Sequence, residues 1–582
     1  MKNTDVIAEV LKNSDVKDFF AVTGGAAVHI IDSLIKAGEM KPIFHHHEQA
    51  AALAADAYAR VRGLGVCVVT TGPGVTNAIT GLLCSWQDSV PTLFISGQAR
   101  FSLTAQGKNL RQVGTQHLEV IPIVQNLTKK AVMLKPGDDV AVVLTDLINL
   151  SQSGRKGPVW LDIPLDLQIQ EHEFNPQNIL LNPSVGENHK IPEQENIYSL
   201  ITNSKSPVLL LGRGLNNIKQ QEFSEIIRKL NLPCLRTWGF FDTNLVIPNE
   251  LDFGAVGVSG QRGANKIISE ADLVISLGAR WGQAVVGPAI EQFAPRAKIH
   301  LFDIDRNELD RAKEYLPNVR TYLEDATQAL QKLNNDFINS STNPDWELYC
   351  KKISSFNIEQ IANLKSEGID QYYVFSKLNE LVGIESIVVV DGGGTIVYCS
   401  MQMMQPLLGR KIIIPSASAP MGTGIPHAIG AQIAEPESQV ILVCGDGSFP
   451  FNMQELQSIS TNQLPIKIII FNNGGYLSIQ GTQNQFLEGR HFGSATSGGL
   501  DIPDFHKIAI AFDFKYWEIE DKKNLDDNLY KFLSSSGSAI LEIKVKPGQE
   551  IFPRTGFKKM ANGKFSPLPL SEMHPEKILP RF

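Results

Sequence analysis

The chain has 582 residues, a formal net charge of −8 at pH 7 and a composition that is 43% hydrophobic and 20% charged. This length favours about three to four domains, and an acidic balance without a Lys/Arg run argues against a nucleic-acid partner. No apolar run reaches the ~20 residues of a membrane span, and the chain starts with an acidic helical pattern where a signal peptide would be apolar, so we predict a cytoplasmic protein without a membrane partner.

Strand and helix patterns alternate through residues 1–170, which we predict to form an α/β domain. Gly25 lies in a glycine-rich turn after the first strand pattern, and Glu48 opens an alanine-rich helical stretch. A second glycine-rich turn, Thr71 to Asn77, follows the next apolar strand, and Trp86 to Pro91 comes after the helix behind it. A glutamate in the first turn of a helix is stabilised by the helix dipole and needs no catalytic role to explain it. Glu48 becomes a candidate functional residue only through these neighbouring motifs.

In this order, the motifs resemble the pyrimidine-binding domain of the acetohydroxyacid synthase (acetolactate synthase) group of thiamine diphosphate enzymes. The resemblance implies that Glu48 hydrogen-bonds the aminopyrimidine ring, whose imino tautomer takes the proton from the thiazolium carbon. It also implies that Pro73 and Asn77 line the pyrimidine pocket, and that Gly25 and Gln116 face the reacting carbon. In the family this glutamate reaches a cofactor held by a neighbouring subunit, so we expect a homodimer or homotetramer with the active site at the subunit interface.

Histidines near these motifs have more than one interpretation. His117 follows Gln116 and is either a substrate ligand or proton donor, or a histidine with a structural partner; both alternatives stay open. His45 and His46 end a strand pattern with a spacing that matches no metal site. The cysteines also lack metal or disulfide spacing, and we predict that they are reduced core residues; they are Cys67, Cys84, Cys234, Cys350, Cys399 and Cys444.

A second α/β series follows and predicts a central domain. Its strand patterns end in glycine-rich or acidic turns, among them Gly278-Ala279-Arg280. In the related enzymes this domain either binds FAD or is purely structural. The Gly-Ala-Arg turn with Asp303 and Asp305 resembles the flavin-binding members, whereas Trp281 begins a segment that departs from the Phe-Asp-Asp-Arg of typical acetolactate synthases. FAD and a purely structural domain therefore both stay open.

The most specific pattern lies in the third series. Two apolar strand patterns end in Gly445-Asp446-Gly447 and in Asn472-Asn473-Gly474-Gly475, with helical spacing between them, so both polar turns should emerge at the same carboxyl edge of a parallel sheet. The glycines admit a phosphate, and Asp446 and Asn473 offer the hard oxygen ligands that Mg²⁺ takes. The pattern also resembles the thiamine diphosphate motif, which implies metal ligation by Asp446, Asn473 and the carbonyl of Gly475.

Met421 and Thr482 carry two further implications of the resemblance. The family's methionine at the position of Met421 supports the bent shape of the cofactor, although a methionine at helical spacing is usually a core residue. Thr482 aligns with a tryptophan that shapes the acceptor pocket in typical acetolactate synthases, and its loss would enlarge or repolarise that pocket. The predicted cofactor-binding set comprises Glu48, Pro73, Asn77, Met421, Gly445, Asp446, Gly447, Ser448, Asn473, Gly475, Tyr476 and Leu477.

We therefore expect three Rossmann-like domains with parallel sheets: pyrimidine-binding (1–170), central (199–335) and diphosphate-binding (365–550). Linkers are expected at 171–198 and 336–364, and a tail at 551–582 that forms a lid or a subunit strap.

The expected activity is thiamine diphosphate- and Mg²⁺-dependent decarboxylation of a 2-oxo acid, with pyruvate as the first candidate, and carboligation to a second carbonyl. The acceptor is a 2-oxo acid or, in a specialised enzyme, an aldehyde or keto sugar. The alternatives are a decarboxylase that releases an aldehyde, with His117 as the acid, and a non-catalytic, cofactor-binding regulatory subunit.

Overall fold

The computed structural model describes residues 1–171, 179, 181, 197–316, 318–336, 343–358 and 368–582. Three six-stranded sheets follow one another along the chain, and all their recorded strand pairs are parallel. Helices flank each sheet, which confirms the predicted α/β architecture of three Rossmann-like domains. Most of the predicted linker 171–198, and residues 337–342 and 359–364 of the second one, lie outside the described residues.

The first sheet has the strand order β2-β1-β3-β4-β6-β5, where the strands are β1 (Asp18–Ala21), β2 (Lys41–Phe44), β3 (Gly65–Val69), β4 (Thr92–Gln98), β5 (Lys130–Met133) and β6 (Val159–Pro164). Its central strands β3, β4 and β6 are buried along their whole length, as expected for a parallel sheet covered on both faces. The helices are α1 (Asn3–Asn13), α2 (Val28–Lys36), α3 (Glu48–Arg62), α4 (Pro73–Gln87), α5 (Ile121–Val124), α6 (Val140–Gln152) and α7 (Leu165–Gln168).

The central sheet has the order β12-β11-β10-β7-β8-β9, where the strands are β7 (Pro207–Leu211), β8 (Cys234–Arg236), β9 (Asp252–Ala255), β10 (Leu273–Leu277), β11 (Lys298–Asp303) and β12 (Val319–Leu323). This is the doubly wound order of dinucleotide-binding folds, and the direction of winding reverses between β7 and β10. The helices are α8 (Ile197–Asn203), α9 (Gln220–Leu230), α10 (Arg262–Glu270), α11 (Gln283–Val286), α12 (Arg306–Tyr315), α13 (Ala326–Asp336) and α14 (Pro344–Ser354).

The third sheet has the order β14-β13-β15-β16-β18-β17, where the strands are β13 (Ser386–Val390), β14 (Lys411–Ile413), β15 (Gln439–Gly445), β16 (Lys467–Asn472), β17 (Lys515–Ile519) and β18 (Ala539–Lys544). Counted within its own domain, this order is the same as that of the first sheet, so the winding reverses between β13 and β15 as it does between β1 and β3. The helices are α15 (Gln371–Leu381), α16 (Gly394–Met403), α17 (Gly424–Ala434), α18 (Leu456–Thr461), α19 (Leu477–Phe486), α20 (Phe505–Ala511) and α21 (Leu525–Leu533).

Short 3₁₀ helices connect several of these elements and are Gly25–Ala27, Phe101–Leu103, Gln125–Leu127, Trp238–Thr243, Ile290–Gln292, Ser355–Ile358, Phe449–Glu455, Thr496–Gly498, Lys522–Asn524 and Leu570–Glu572. The helix predicted between β15 and β16 begins as one of them and becomes α-helical only at α18. All six cysteines are buried and free, which confirms the prediction of reduced core residues. Within the described part of the chain, no helix is both long enough and apolar enough to cross a membrane.

The first and third domains pack together through α3 and α17. The alanine-rich face of α3 is buried, and a Cβ added to Gly430 of α17 would lie only 2.1 Å from the carbonyl oxygen of Ala54. At the other end of the pair, Arg62 donates from Nε to the carbonyl oxygen of Ala434 at 2.7 Å. Small residues on both helices therefore allow two backbones to meet at the interface between the domains.

Two segments outside the predicted domains pack on the central domain. Helix α14 lies inside the predicted linker 336–364, yet Trp346, Cys350 and Ile353 are fully buried in the central core. The polar residues between them hide the helical spacing of this apolar face. In the tail, β19 (Phe557–Lys559) and β20 (Phe565–Pro567) form an antiparallel hairpin, and Arg262 of the central domain donates to the carbonyl oxygen of Met573 at 3.0 Å.

Candidate active site

Asp446 organises the carboxyl ends of β15 and β16. Its Oδ2 accepts backbone hydrogen bonds from Asn473 at 2.9 Å, Gly474 at 2.7 Å and Gly475 at 3.0 Å. One carboxylate oxygen thus gathers three consecutive amides of the neighbouring loop, because parallel strands end at the same edge of the sheet. The two turns predicted from the sequence to lie side by side are therefore joined directly, beside the point where the winding reverses.

The side chain of Asn473 has an acceptor without a protein partner. Its Oδ1 is buried and makes no hydrogen bond, although buried polar atoms are normally paired. The carbonyl oxygen of Gly475 accepts from Leu477 at 3.1 Å and keeps a second lone pair. One carboxylate, one free amide oxygen and one carbonyl form an oxygen donor set that suits Mg²⁺; among the described residues, no group of three or more His, Cys, Asp or Glu side chains could hold a metal instead.

Burial strongly affects the carboxyl group of Asp446. Removal from water raises its pKa from 3.8 to about 6, against the opposite effect of its backbone hydrogen bonds with Gly475, Gly474, Asn473 and Gly447. A nearby positive charge favours the ionised form of such a group. The residues at this edge therefore fit a cation electrostatically as well as in their donor atoms.

The other predicted residues of this half lie around the same loops. A Cβ on Gly447 would be 2.2 Å from Cδ1 of Tyr476, so only glycine fits beneath that ring. Ser448 accepts from the backbone of Gly422 at 2.9 Å, which ties the aspartate loop to the segment of Met421. Gly445 ends β15, and Leu477 begins α19.

Met421 is half-buried beside the glycines that follow β13. A Cβ on Gly393 would be 2.9 Å from Cγ of Met421, and one on Gly392 would be 2.0 Å from the carbonyl oxygen of Pro420. The segment before α17 is thus packed directly on the backbone after β13. The methionine side chain is held next to the reversal point of the third sheet, where ligands bind in such folds.

The pyrimidine half lies at the equivalent edge of the first sheet. Glu48 is the first residue of α3, and its Oε2 accepts from Nδ2 of Asn77 at 2.9 Å. Pro73 starts α4, the helix that carries Asn77, and Gly25 starts a 3₁₀ helix after β1. Hydrogen bonding to Asn77 fixes the orientation of the Glu48 carboxylate at the start of α3.

Gln116 and His117 have different environments. The side chain of Gln116 is exposed, and its backbone has a φ of 58°, which is uncommon for a residue other than glycine. Its carbonyl oxygen accepts from Oγ1 of Thr71 at 3.2 Å, so the residue is anchored beside the glycine-rich turn. His117 is buried, and its Nε2 lies 3.0 Å from Oε1 of Glu119.

The chain matches three family models in succession. Residues 1–120 match the thiamine pyrophosphate enzyme N-terminal TPP binding domain, residues 195–333 the central domain, and residues 392–543 the C-terminal TPP binding domain. A similar relative is acetolactate synthase 2, chloroplastic, of Nicotiana tabacum, which is 30% identical over 95% of this chain and 83% of its own length. The chain belongs to the thiamine pyrophosphate enzyme family.

Bacterial relatives have the same extent. The acetolactate synthase isozyme 1 large subunit of Escherichia coli (strain K12) is 27% identical over 94% of this chain and 95% of its own. The acetolactate synthase large subunit of Lactococcus lactis subsp. lactis (strain IL1403) is 29% identical, with coverages of 94% and 93%. These matches confirm the resemblance to acetolactate synthases within the thiamine pyrophosphate enzyme family.

The central domain of this family member has a cavity at its reversal point. It has a volume of about 440 Å³ and is lined in part by Arg213, Arg280 and Asp303. The glycine-rich turns after β7 and β10 touch there, because a Cβ on Gly214 would be 2.6 Å from Cα of Gly278. Burial raises the pKa of Asp303 to about 6.

Two central residues named in the sequence analysis have structural partners. Asp305 caps α12 by accepting from the backbone of Asn307 at 2.9 Å, and it also pairs with Arg155. Trp281 is buried and donates from Nε1 to Oγ of Ser276 at 2.9 Å. The segment that departs from the acetolactate synthase pattern therefore begins with a core residue.

Several residues of the site were not assigned from the sequence. Asp391, at the end of β13, accepts from Oγ1 of Thr423 at 2.9 Å and from the backbone of Gly424 at 3.0 Å, and so holds the start of α17. His45 lies with its Nδ1 2.9 Å from Oε2 of Glu455, and both side chains are fully buried. The sequence offered one signal for Asp391, since an aspartate stands there directly after a strand pattern and before three glycines. No sequence pattern pointed to Glu455 as the partner of His45.

Proposed function

We propose that the chain is a thiamine diphosphate- and Mg²⁺-dependent enzyme that decarboxylates a 2-oxo acid, with pyruvate as the expected substrate, and joins the resulting acyl unit to a second carbonyl. The observation that carries the proposal is the buried, unpaired Oδ1 of Asn473 beside Asp446. A free amide oxygen at the ligand-binding edge of the third sheet is explained by a cation that is bound together with a diphosphate.

In this proposal the third domain holds the charged end of the cofactor. Asp446, Asn473 and the carbonyl of Gly475 would hold Mg²⁺, and the backbone around Gly445, Gly447 and Ser448 would hold the diphosphate. Tyr476 and Leu477 follow directly and close this side of the site. Met421 would support the bend between the two rings of the cofactor.

Glu48 would hold and move the proton at the pyrimidine ring nitrogen. Its hydrogen bond to Asn77 keeps the carboxylate oriented, Pro73 would line the ring, and Gly25 and Gln116 would face the reacting carbon. When bound at these residues, thiamine diphosphate would supply a nucleophilic carbon and an electron sink for the decarboxylation. The residues of this chain would bind and orient the substrate beside that carbon and would move protons to and from the reacting groups.

We also propose that the two halves act together in a homodimer or homotetramer. The recorded partner of the Glu48 carboxylate, Asn77, lies within the first domain, and Asp446 gathers a loop of the third domain. Each half is preformed in its own domain, which is what a site shared across a subunit interface requires. Each active site would then be built from two copies of the chain, with Glu48 of one copy beside the diphosphate site of the other.

The acceptor in the proposal is an aldehyde or keto sugar, with a second 2-oxo acid as the competing possibility. Thr482 lies on α19, close after the loop Asn473–Gly475. Its Oγ1 donates to the carbonyl oxygen of Ser478 at 3.1 Å. Its side chain is exposed and small, and Gly481 precedes it. A threonine at position 482, where the related enzymes have a tryptophan, leaves room for an acceptor bulkier than a short 2-oxo acid.

The alternatives receive less support. Release of an aldehyde needs an acid that reaches substrate, but His117, the candidate, is buried and close to Glu119. A non-catalytic regulatory subunit could dispense with Glu48, Asp446 or Asn473, and the chain retains all three. Carboligation is therefore the reaction that we propose.

FAD forms a separate part of the proposal, supported by the cavity of the central domain. Arg213 and Arg280 line it at the edge where doubly wound sheets bind dinucleotides. Extraction of the purified protein and its visible absorbance spectrum test this part. A yellow protein that releases FAD supports it, and a colourless protein with full turnover removes FAD and leaves the rest of the proposal intact.

The decisive experiment measures pyruvate consumption by the wild type and by Glu48→Gln, with and without added thiamine diphosphate and Mg²⁺. We expect turnover that requires both additions and that falls at least ~100-fold in Glu48→Gln, since one general acid–base group typically contributes 10²- to 10⁴-fold. Unchanged turnover in the variant would contradict the mechanism. Product analysis with pyruvate plus 2-oxobutyrate, an aldehyde or a keto sugar then identifies the acceptor; efficient acetohydroxyacid formation would refute the specialised pocket.

A further inference from the structure

Asp88 in the first domain binds the chain segment that leads to Met421 in the third. Its Oδ1 accepts from Oγ of Ser416 at 3.0 Å and from the backbone of Ala417 at 3.0 Å, and its Oδ2 accepts from the backbone of Ser416 at 3.1 Å. The Asp88 side chain is only 2% exposed. A single buried carboxylate therefore holds two consecutive residues that lie shortly before Met421.

The carboxylate is itself fixed by Arg60. This arginine donates from Nη2 to Oδ2 of Asp88 at 2.8 Å, from Nε to Asp56 at 2.7 Å and from Nη1 to Asp242 at 2.8 Å. All four side chains are almost completely buried. Because Asp242 belongs to the central domain, the charge cluster joins the central domain to the first and gives Asp88 a rigid position.

The segment after Ala417 has little freedom between its two attachments. Oγ of Ser418 lies 3.5 Å from Sγ of Cys84, one turn before Asp88 on α4. Ala419 has a φ of 43°, a strained value for alanine. Pro420 and Met421 then lie directly against the glycine backbone after β13.

We propose that Asp88 is a positioning residue that places Met421 for its support of the cofactor. The inference rests on the proposed function through the role of Met421. It adds a residue from the first domain that touches neither the cofactor nor the substrate but determines the path of residues 416–421. Strained backbone of the kind found at Ala419 persists only where its surroundings hold it, and Asp88 provides that hold.

The chemistry of the contacts makes the carboxylate hard to replace. Both oxygens of Asp88 accept from two donors each, so Asp88→Asn must turn one oxygen into an NH₂ group that faces other donors. An NH₂ group at Oδ2 loses the contacts with the backbone of Ser416 and with Arg60. An NH₂ group at Oδ1 loses the contact with the backbone of Ala417, while the Ser416 hydroxyl can reverse its role and accept. Asp242→Asn is the matched control, because it damages the same arginine cluster without touching the segment 416–417.

The test uses the full-length protein and two readouts. Hydrogen–deuterium exchange of the apo protein reports the segment 414–424 without any cofactor, and calorimetric titration with thiamine diphosphate in excess Mg²⁺ reports affinity. We expect Asp88→Asn to exchange at least tenfold faster in this segment and to bind thiamine diphosphate at least tenfold more weakly. The near-ultraviolet circular-dichroism signal of the bound aminopyrimidine should change as well. Asp242→Asn leaves all four contacts of Asp88 in place, so it should change exchange, affinity and signal much less than Asp88→Asn does.

Each other outcome has a defined meaning. Unchanged exchange in Asp88→Asn, or equal effects in Asp242→Asn, overturns the anchoring role. Faster exchange with unchanged affinity and dichroism overturns the link to Met421. A wild type that binds no thiamine diphosphate refutes the proposed function and the Met421 link together, while the exchange data still decide the anchoring. If Asp88→Asn does not fold, Ser416→Ala removes one of the four contacts and should show the same changes at smaller size.

Discussion

At the scale of single residues, the contrast between Asp446 and Asn473 is informative. Asp446 makes many hydrogen bonds within the protein, whereas Oδ1 of Asn473 makes none. An unpaired buried acceptor costs stability in the absence of a ligand. The two residues therefore share a proposed ligand but differ in what they contribute to the fold.

This contrast predicts different effects of two substitutions. Asn473→Ala should leave the melting temperature of the metal-free protein nearly unchanged and abolish the stabilisation by Mg²⁺ with thiamine diphosphate, which for a ligand at 100 times its Kd is about 2.7 kcal/mol. Asp446→Ala should also destabilise the metal-free protein, by about 2 kcal/mol or more, because it leaves buried amides unpaired. Thermal unfolding with and without both ligands tests this; a full ligand shift in Asn473→Ala would exclude the amide as a metal ligand.

Sequence patterns were sufficient to predict contacts between residues that follow neighbouring strands of the same sheet. Asp446 and Asn473 were predicted together because parallel strands bring their carboxyl ends to one edge. Asp88 lies within the family motif Trp86 to Pro91, but no role was predicted for it, because the segment that it binds comes 328 residues later in the chain. Contacts between domains depend on how finished domains pack, and local periodicity carries no information about that packing.

At the scale of elements, helices α3 and α17 pack closely because the residues at their contact have small side chains or none. Gly430 faces the backbone of Ala54 at a distance that no Cβ tolerates. The alanine-rich stretch after Glu48 predicted α3, whereas α17 was not predicted as a helix. Their mutual contact could not be predicted from either stretch alone. Helix α14 shows the opposite problem, since its buried face was hidden in a polar stretch that we predicted as a linker.

Gly430→Ala should therefore destabilise the protein by about 1–3 kcal/mol or more, as expected for overpacking against a rigid backbone. Gly481→Ala is the matched control, since a Cβ there meets nothing within 4 Å and alanine is favoured over glycine in a helix by roughly 1 kcal/mol. Denaturant unfolding of both variants measures the two changes. Equal stabilities would show that the helix pair relaxes without cost.

At the scale of the whole molecule, buried polar contacts connect the domains. The His45–Glu455 pair joins the residues between β2 and α3 to the 3₁₀ helix before α18. Glu455 also accepts from the backbone of His46 at 3.0 Å. Burial alone would raise the pKa of Glu455, but hydrogen bonding and attraction from His45, with a hydrogen bond from Ser458, hold it below its usual 4.5. The ionised carboxylate of Glu455, held by these contacts, therefore stabilises the folded domain arrangement.

The depressed pKa gives the pH dependence a defined sign. A carboxyl group that binds protons less readily in the folded state contributes stability above its unfolded pKa of 4.5 and loses it as the pH falls through the lower folded value. We expect Glu455→Gln to be less stable than the wild type at pH 7, by about 1–3 kcal/mol, and the difference to shrink in acid below about pH 4.5. Melting curves of both proteins against pH test this; parallel curves would exclude ionisation of Glu455 as the cause.

The burial of all six cysteines has a practical consequence for chemical labelling. Burial raises the pKa of each thiol, so these groups should resist alkylating dyes while the protein is folded. A cysteine introduced at an exposed position such as Thr482 would then be the only reactive thiol, without any need to remove the native ones. A fluorophore attached there would report, in the intact protein, whether a compound added in solution reaches helix α19, which follows the loop Asn473–Gly475.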